Sequence, residues 1–293
     1  MKKAINLYKK VGESPLQAIN IFRNKNPFYK NKKMSYAGRL DPMAEGVLLI
    51  LIGDETKKIN QYLGFDKEYR AEILIGISTD SHDVLGIAEI GNKELINEEK
   101  KDKEKVQPAR EDKQIIDKNY QNQNYELLET NNKNNEEKKE LIKKIKRKIR
   151  GLKGVYHQKI PEFSSYKIKR KPMFYYARLG KEIEEVKKTV KIKKIMINKV
   201  YEINSKKLLS YVLKKIDLVK EDFRQEEIKK KWTGLIENSD EKFLVFGITV
   251  NCSSGTYIRA IADDLGKEFG GGLLLSLKRT KVGKFDVENS LRI

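Results

Sequence analysis

The chain has 293 residues, 39% of them hydrophobic and 35% charged, and its 62 Lys and Arg against 42 Asp and Glu leave a formal charge of +20. That length can bury a real core, while a charged share above the usual ~25% requires segments that do not pack, and the positive field attracts polyanions such as nucleic acid. One cysteine (Cys252) excludes an intrachain disulfide, and two histidines (His82, His157) without cysteine company argue against a zinc site. No apolar run reaches the ~20 residues of a membrane span, and the polar residues 1–6 are not a signal peptide.

The compact part begins at once. Residues 15–23, after a Ser14 cap, carry Leu16, Ile19, Ile21 and Phe22 and predict a short helix. Residues 47–52 are an unbroken apolar run between Gly46 and Gly53 and predict a buried strand; 70–77 alternate loosely and predict another. From 92 to 135 the chain is rich in Lys, Glu, Asp, Asn and Gln. It has too little apolar surface to offset its ordering entropy, so a flexible insertion is expected there. Residues 136–151 place Leu141, Ile142, Ile145 and Ile149 on one side of a helix, with the lysines facing solvent. A strand is predicted at 190–197, a second charged insertion with some helical patterning at 204–240, and a strong strand at 243–250. A helix over 255–269 would turn Ile258, Ile261, Ala262 and Leu265 inward, with Gly270-Gly271-Gly272 ending it rather than cradling a phosphate. Strands and helices intersperse without a regular βαβ repeat, which predicts an α+β fold in one domain spanning 1–293.

Two clusters carry candidate chemistry. Gly38-Arg39-Leu40-Asp41-Pro42-Met43-Ala44-Glu45-Gly46 sets a carboxylate in a loop feeding a rigid strand, and Pro42 biases Asp41 away from helical angles. Alone, the segment fits a structural turn aspartate better than a catalytic one. Asn251-Cys252-Ser253-Ser254-Gly255-Thr256-Tyr257-Ile258-Arg259 lies at a strand-to-helix junction, where Thr256, Tyr257 and Arg259 would fall on the first helical turn. The fork of Arg259 suits a carboxylate, although pairing with Asp263 or Asp264 would serve the helix equally well.

In this order the clusters resemble the tRNA pseudouridine synthase B family, which acts on uridine-55 of the T-loop. Lys67-Glu68-Tyr69-Arg70, the turn from Gly76 to Asp83 with Gly86, the stretch from Gln158 to Lys167 followed by Tyr176-Ala177-Arg178, and Leu277-Lys278-Arg279-Thr280 resemble further motifs of that family. The resemblance covers about 5–91 and 137–293, leaving out 204–240. It implies a pseudouridine synthase fold, with a mixed, mainly antiparallel sheet flanked by helices. It also implies a cofactor- and metal-free isomerase in which Asp41 attacks or deprotonates the ribose. Tyr69 would pack on the base and help remove the C5 proton, and Arg259 would pair with the aspartate. Tyr257 and Leu277 would line the base pocket, and Lys67 and Lys167 would lie near the substrate. Its partner would be the T-arm of tRNA, bound by a cytoplasmic monomer without guide RNA.

Two departures stand out. Tyr36 occupies the place of a histidine that supports the substrate in the family, and Lys10 that of a proline. The chain is also expected to lack the C-terminal RNA-binding domain of many relatives. These features motivate an alternative, a catalytically impaired RNA-binding protein or tRNA folding chaperone.

Overall fold

The computed structural model describes residues 3–90 and 134–293. In chain order they form strand β1 (Ala4–Lys9), helix α1 (Pro15–Lys25), β2 (Met34–Ala37), β3 (Ala44–Ile52), α2 (Ile59–Leu63), β4 (Lys67–Ile75), β5 (Ile77–Thr79) and β6 (Ala88–Ile90). After the undescribed stretch come α3 (Asn134–Gly151), β7 (Gly154–Lys159), the short strands β8 (Lys167–Ile168) and β9 (Lys171–Pro172), and α4 (Met173–Arg178). Then follow β10 (Lys187–Asn204), α5 (Ser205–Asp217), α6 (Gln225–Ile236), β11 (Lys242–Cys252), α7 (Ile258–Gly266), β12 (Gly272–Val282) and β13 (Phe285–Asp286).

A nine-stranded sheet runs β1-β3-β12-β4-β11-β10-β7, with β2 on β3 and β13 on β12. Every pairing in it is antiparallel except β12 with β3. The chain is therefore α+β with a mixed, mainly antiparallel sheet. Ser14 caps α1 through a reciprocal pair with Gln17: the backbone N–H of Gln17 donates to the Ser14 hydroxyl, and the Gln17 side chain accepts from the Ser14 N–H. The apolar run of β3 is buried from Val47 to Ile52 because α1 covers one side while Val282 and Val287 pack on the other.

Three expectations need adjustment. The strand expected at 70–77 starts at Lys67 and stops at Ile75, and that expected at 190–197 extends over the whole of β10. Helix α7 starts only at Ile258: Tyr257 is its extended cap residue, and Gly255 has φ +82°. Thr256 and Tyr257 thus precede the helix, and of that trio only Arg259 is helical.

The segment expected as a charged insertion at 204–240 contains α5 and α6. They send Leu208, Val212, Ile216, Ile228, Trp232 and Ile236 into the main core and turn Lys206, Lys207, Lys214, Lys230 and Lys231 outward. Each such burial contributes roughly 1.5–3 kcal/mol. The insertion expected at 92–135 lies outside the described residues, apart from the start of α3. No helix among the described residues is long and apolar enough to cross a membrane.

Candidate active site

Asp41 lies in the turn just before β3, where the N–H of Ala44 donates to its carbonyl at 3.0 Å. Two buried cations hold this loop. The guanidinium of Arg279, on β12, donates to the carbonyls of Val47 (2.8 Å), Arg39 (3.0 Å) and Gly38 (3.1 Å). The ammonium of Lys9 donates to the carbonyls of Ala44 (2.6 Å) and Lys10 (3.0 Å). Lys9 is fully buried, and burial lowers its pKa to about 7. The parallel contact of β3 with β12 demands a glycine: at Gly46, φ +109°, a Cβ would stand 2.2 Å from the carbonyl oxygen of Arg279.

Arg259, 3% exposed, reaches the same place from α7. Its Nε donates to Asp41 Oδ2 at 2.9 Å, its Nη1 to the carbonyl of Ser81 at 2.8 Å and its Nη2 to that of Phe163 at 3.1 Å. Asp83 Oδ2 is 3.7 Å from the same Nε. Burial alone would weaken the charged guanidinium, but Asp41 and Asp83 more than offset it, so the pKa of Arg259 lies above its ordinary value. Burial pushes the Asp83 carboxyl up, against the pull of Arg259. Asp83 is further held by the N–H of Leu85 (2.9 Å) and the Ser81 hydroxyl (3.0 Å). Asp41, with about a third of its side chain exposed, is the one carboxylate of this pair open to a substrate.

The residues packed around the Asp41 loop are apolar and aromatic. Tyr69 sits directly across from Arg279 in the β4–β12 ladder, and Leu277 faces both Ala71 of β4 and Ala44 of β3. Leu40, Met43, Tyr69 and Leu277 belong to one buried cluster. Burial raises the Tyr69 phenol above its ordinary pKa, and Arg279 works in the opposite sense. Tyr257 is raised by burial too, with the Ser164 hydroxyl and Arg259 among the groups acting on it the other way. The backbone N–H of Tyr257 donates to Gln158 Oε1 at 2.9 Å, and Gln158 Nε2 donates to the carbonyl of Gly255 at 2.8 Å, which anchors the loop leading into α7.

The structure therefore brings Asp41, Arg259, Tyr69, Tyr257 and Leu277 together. The other three sequence candidates lie differently. Lys67 shares the Tyr69 face of β4, but its ammonium is spent on the carbonyls of Leu63 and Phe65, both at 2.6 Å, and burial lowers its pKa to about 8. It closes its own loop. Tyr36 packs on the cluster formed by α1, β1 and β3. Lys167 is exposed on the β8–β9 hairpin. Arg279, Lys9 and Asp83 are the positioning groups that sequence reasoning did not single out. Arg279 and Asp83 stand inside motif segments without a role assigned to them, while the signal at Lys9 was a basic residue at the end of a mostly apolar strand. Among the described residues no group of His, Cys, Asp and Glu could hold a metal ion.

The chain is similar to known proteins along most of its length. The family model described as TruB family pseudouridylate synthase (N terminal domain) matches residues 25–114 and 113–218. The tRNA pseudouridine synthase B of Clostridium tetani is 28% identical over 294 residues, covering 100% of this chain and 72% of its own length. That of Bifidobacterium longum subsp. infantis is 30% identical over 263 residues, covering 87% of this chain and 57% of its own. Among solved structures, a Cbf5-Nop10-Gar1 complex aligns over 99% of this chain and 52% of its own at 15% identity, with a TM-score of 0.49. With the family match running over more than half of its length, the chain belongs to the TruB family of pseudouridylate synthases.

Proposed function

We propose that this chain converts a uridine of tRNA, the one at position 55 in the T-loop, to pseudouridine, with Asp41 as the catalytic carboxylate and Arg259 and Tyr69 completing the site. The observation that carries this reading is the 2.9 Å pairing of a partly exposed Asp41 with the buried Arg259, beside Tyr69 and Leu277. The tRNA substrate follows from the names of the relatives.

A base stacked in folded RNA must be extruded before it can react, and a pocket with flat and apolar walls then holds it. Tyr69, Tyr257 and Leu277 supply that wall. Asp41 attacks C1′ or takes a proton from C2′, and the N1–C1′ bond breaks. The base turns and C5 bonds to C1′, either displacing the Asp41 oxygen from C1′ or adding to the C1′–C2′ double bond as Asp41 returns its proton to C2′; C5 then loses its proton and N1 gains one, so no external atom is consumed. Arg259 orients Asp41 and sets a fixed positive charge beside its carboxylate. With its pKa raised, the Tyr69 phenol is protonated in the resting site and suits packing on the base better than proton abstraction. In this reading residues 1–293 act as one cytoplasmic catalytic domain, as a monomer, without cofactor or guide RNA.

The test is uridine-modification mapping on tRNA with the purified chain and with Asp41→Asn. The wild type is expected to convert the T-loop uridine, and the variant to lose about 10²–10⁴-fold in rate while binding tRNA within several-fold. Conversion by the variant at the native rate would remove Asp41 from its role. Binding of tRNA without conversion by the wild type would favour the impaired RNA-binding protein or folding chaperone.

A further inference from the structure

Helix α6 approaches the site through its cap residue. Arg224 holds that position in the left-handed region, at φ +73° and ψ 30°. A non-glycine residue keeps that conformation only where its surroundings over-determine it, and such residues concentrate at functional sites. The Arg224 Nη2 donates to Asp80 Oδ2 at 3.0 Å, and its guanidinium carbon lies 4.8 Å from the centre of the Phe163 ring.

Both partners adjoin the buried Arg259. Asp80 precedes Ser81, whose carbonyl accepts from Arg259 Nη1, and the carbonyl of Phe163 accepts from Arg259 Nη2. One guanidinium at the surface thus clamps the two backbone segments that hold the guanidinium beneath. Asp80 passes the constraint on: its Oδ1 accepts from the N–H of Ile87 at 2.9 Å, closing the turn that contains Asp83. From α6, Trp232 Nε1 donates to the carbonyl of Gly86 in the same turn at 3.2 Å. That turn has no slack, since a Cβ at Gly86 would stand 2.5 Å from the Ser81 hydroxyl and 2.6 Å from Asp80 Oδ1.

We propose that Arg224 is a positioning residue for uridine isomerisation, holding the Asp80–Asp83 turn and the Phe163 segment at the spacing that seats Arg259 against Asp41. The proposal rests on the site assigned above. Arg224 touches neither Asp41 nor the pocket wall, so its effect is on alignment, where small displacements cost rate. Arginine is needed because it pairs with a carboxylate and lies flat on a ring at once, which an ammonium does less well.

The test compares single-turnover conversion, tRNA affinity and melting temperature for Arg224→Gly, Arg224→Lys, Asp80→Asn and the double variant Asp80→Asn with Arg224→Gly. Glycine accepts the left-handed φ, so Arg224→Gly is expected to melt no lower than wild type while its single-turnover rate falls about tenfold and its affinity stays within twofold. A bracing role alone would move the melting temperature. Arg224→Lys should recover part of the rate, and the double variant should be no slower than the slower single one, because both break the same link. A native rate in Arg224→Gly overturns the proposal, and so does weaker binding with a shallower salt dependence at an unchanged rate, which would make Arg224 a phosphate contact. Native-rate conversion by Asp41→Asn would instead refute the underlying site, whatever Arg224 does.

Discussion

The Asp41 loop and the β8–β9 hairpin hold their cations in opposite ways. Beneath Asp41, Lys9 and Arg279 are almost wholly buried and give their N–H groups to backbone carbonyls. In the hairpin, Lys167, Lys169, Arg170 and Lys171 are exposed, and Lys169 and Arg170 form the two-residue turn with φ +48° and +69°. The ammonium of Lys171 lies 4.1 Å from the centre of the Tyr175 ring on α4 and donates to the Tyr175 hydroxyl at 3.0 Å. A reacting carboxylate needs fixed geometry, which buried groups hydrogen-bonded to the backbone provide. A grip on a polyanion needs charge that adapts and releases counterions, which exposed side chains provide.

Four measurements would break or sharpen that contrast. Arg259→Met leaves Asp83 buried without its counter-charge. It should abolish conversion and destabilise the fold by about 3–5 kcal/mol in denaturant unfolding. A stable, active variant would mean that the buried pair organises nothing. Arg279→Met strands the carbonyls of Gly38, Arg39 and Val47. Unfolding should then cost about 1–3 kcal/mol less, and the single-turnover rate should fall more than tRNA affinity does.

Lys9 offers a pH signature. Folding lowers its pKa from the ordinary ~10.4 to about 7, so between these values the unfolded chain carries a proton that the folded chain has released. Its contribution to stability therefore rises with pH across that window, by at most about 1.4 kcal/mol per pH unit, and is at its least favourable below pH 7. Lys9→Met should flatten the rise in stability between pH 7 and 8, measured by denaturant unfolding. Lys67, lowered to about 8, adds its own slope higher up in both proteins. An unchanged slope would deny that Lys9 titrates in the fold.

The smallest effect is expected in the hairpin. Replacing Lys169-Arg170 by Asn-Gly suits the positive φ of both positions and should leave stability equal or up to about 1 kcal/mol higher. Affinity for tRNA should weaken and its log–log salt slope should fall by about 1–2, with the bound-state rate unchanged. Unaltered affinity would take this hairpin out of RNA binding.

Much of the architecture was legible because it rests on short-range physics. The Ser14 cap, the apolar run of β3 and the inward stripe of α7 each follow from spacing within about a dozen residues. The start of α7 was misjudged because Gly255 and Tyr257 make an extended approach, which Gln158 anchors from β7. The charge of 204–240 concealed two helices, since exposed lysines interrupt the apolar residues turned inward. Lys67 and Arg279 look alike in the sequence, as basic residues in strands that carry other cations too. Only their neighbours make one the closure of its own loop and the other the clamp on the Asp41 loop.

By itself the sequence determined the α+β class, the strand and helix cores, and the presence of an acidic loop before one strand and an arginine after a later strand, because periodicity, caps and turn residues are local properties. Tertiary structure alone decided that Asp41 and Arg259, 218 residues apart, share a hydrogen bond. It also decided that Arg279 and Lys9 brace the loop from below, and that Arg224 reaches the neighbouring Asp80–Asp83 turn from outside. Those contacts depend on sheet order and on the parallel β3–β12 register, which arise when distant segments bury a common core and which no local stretch of chain encodes.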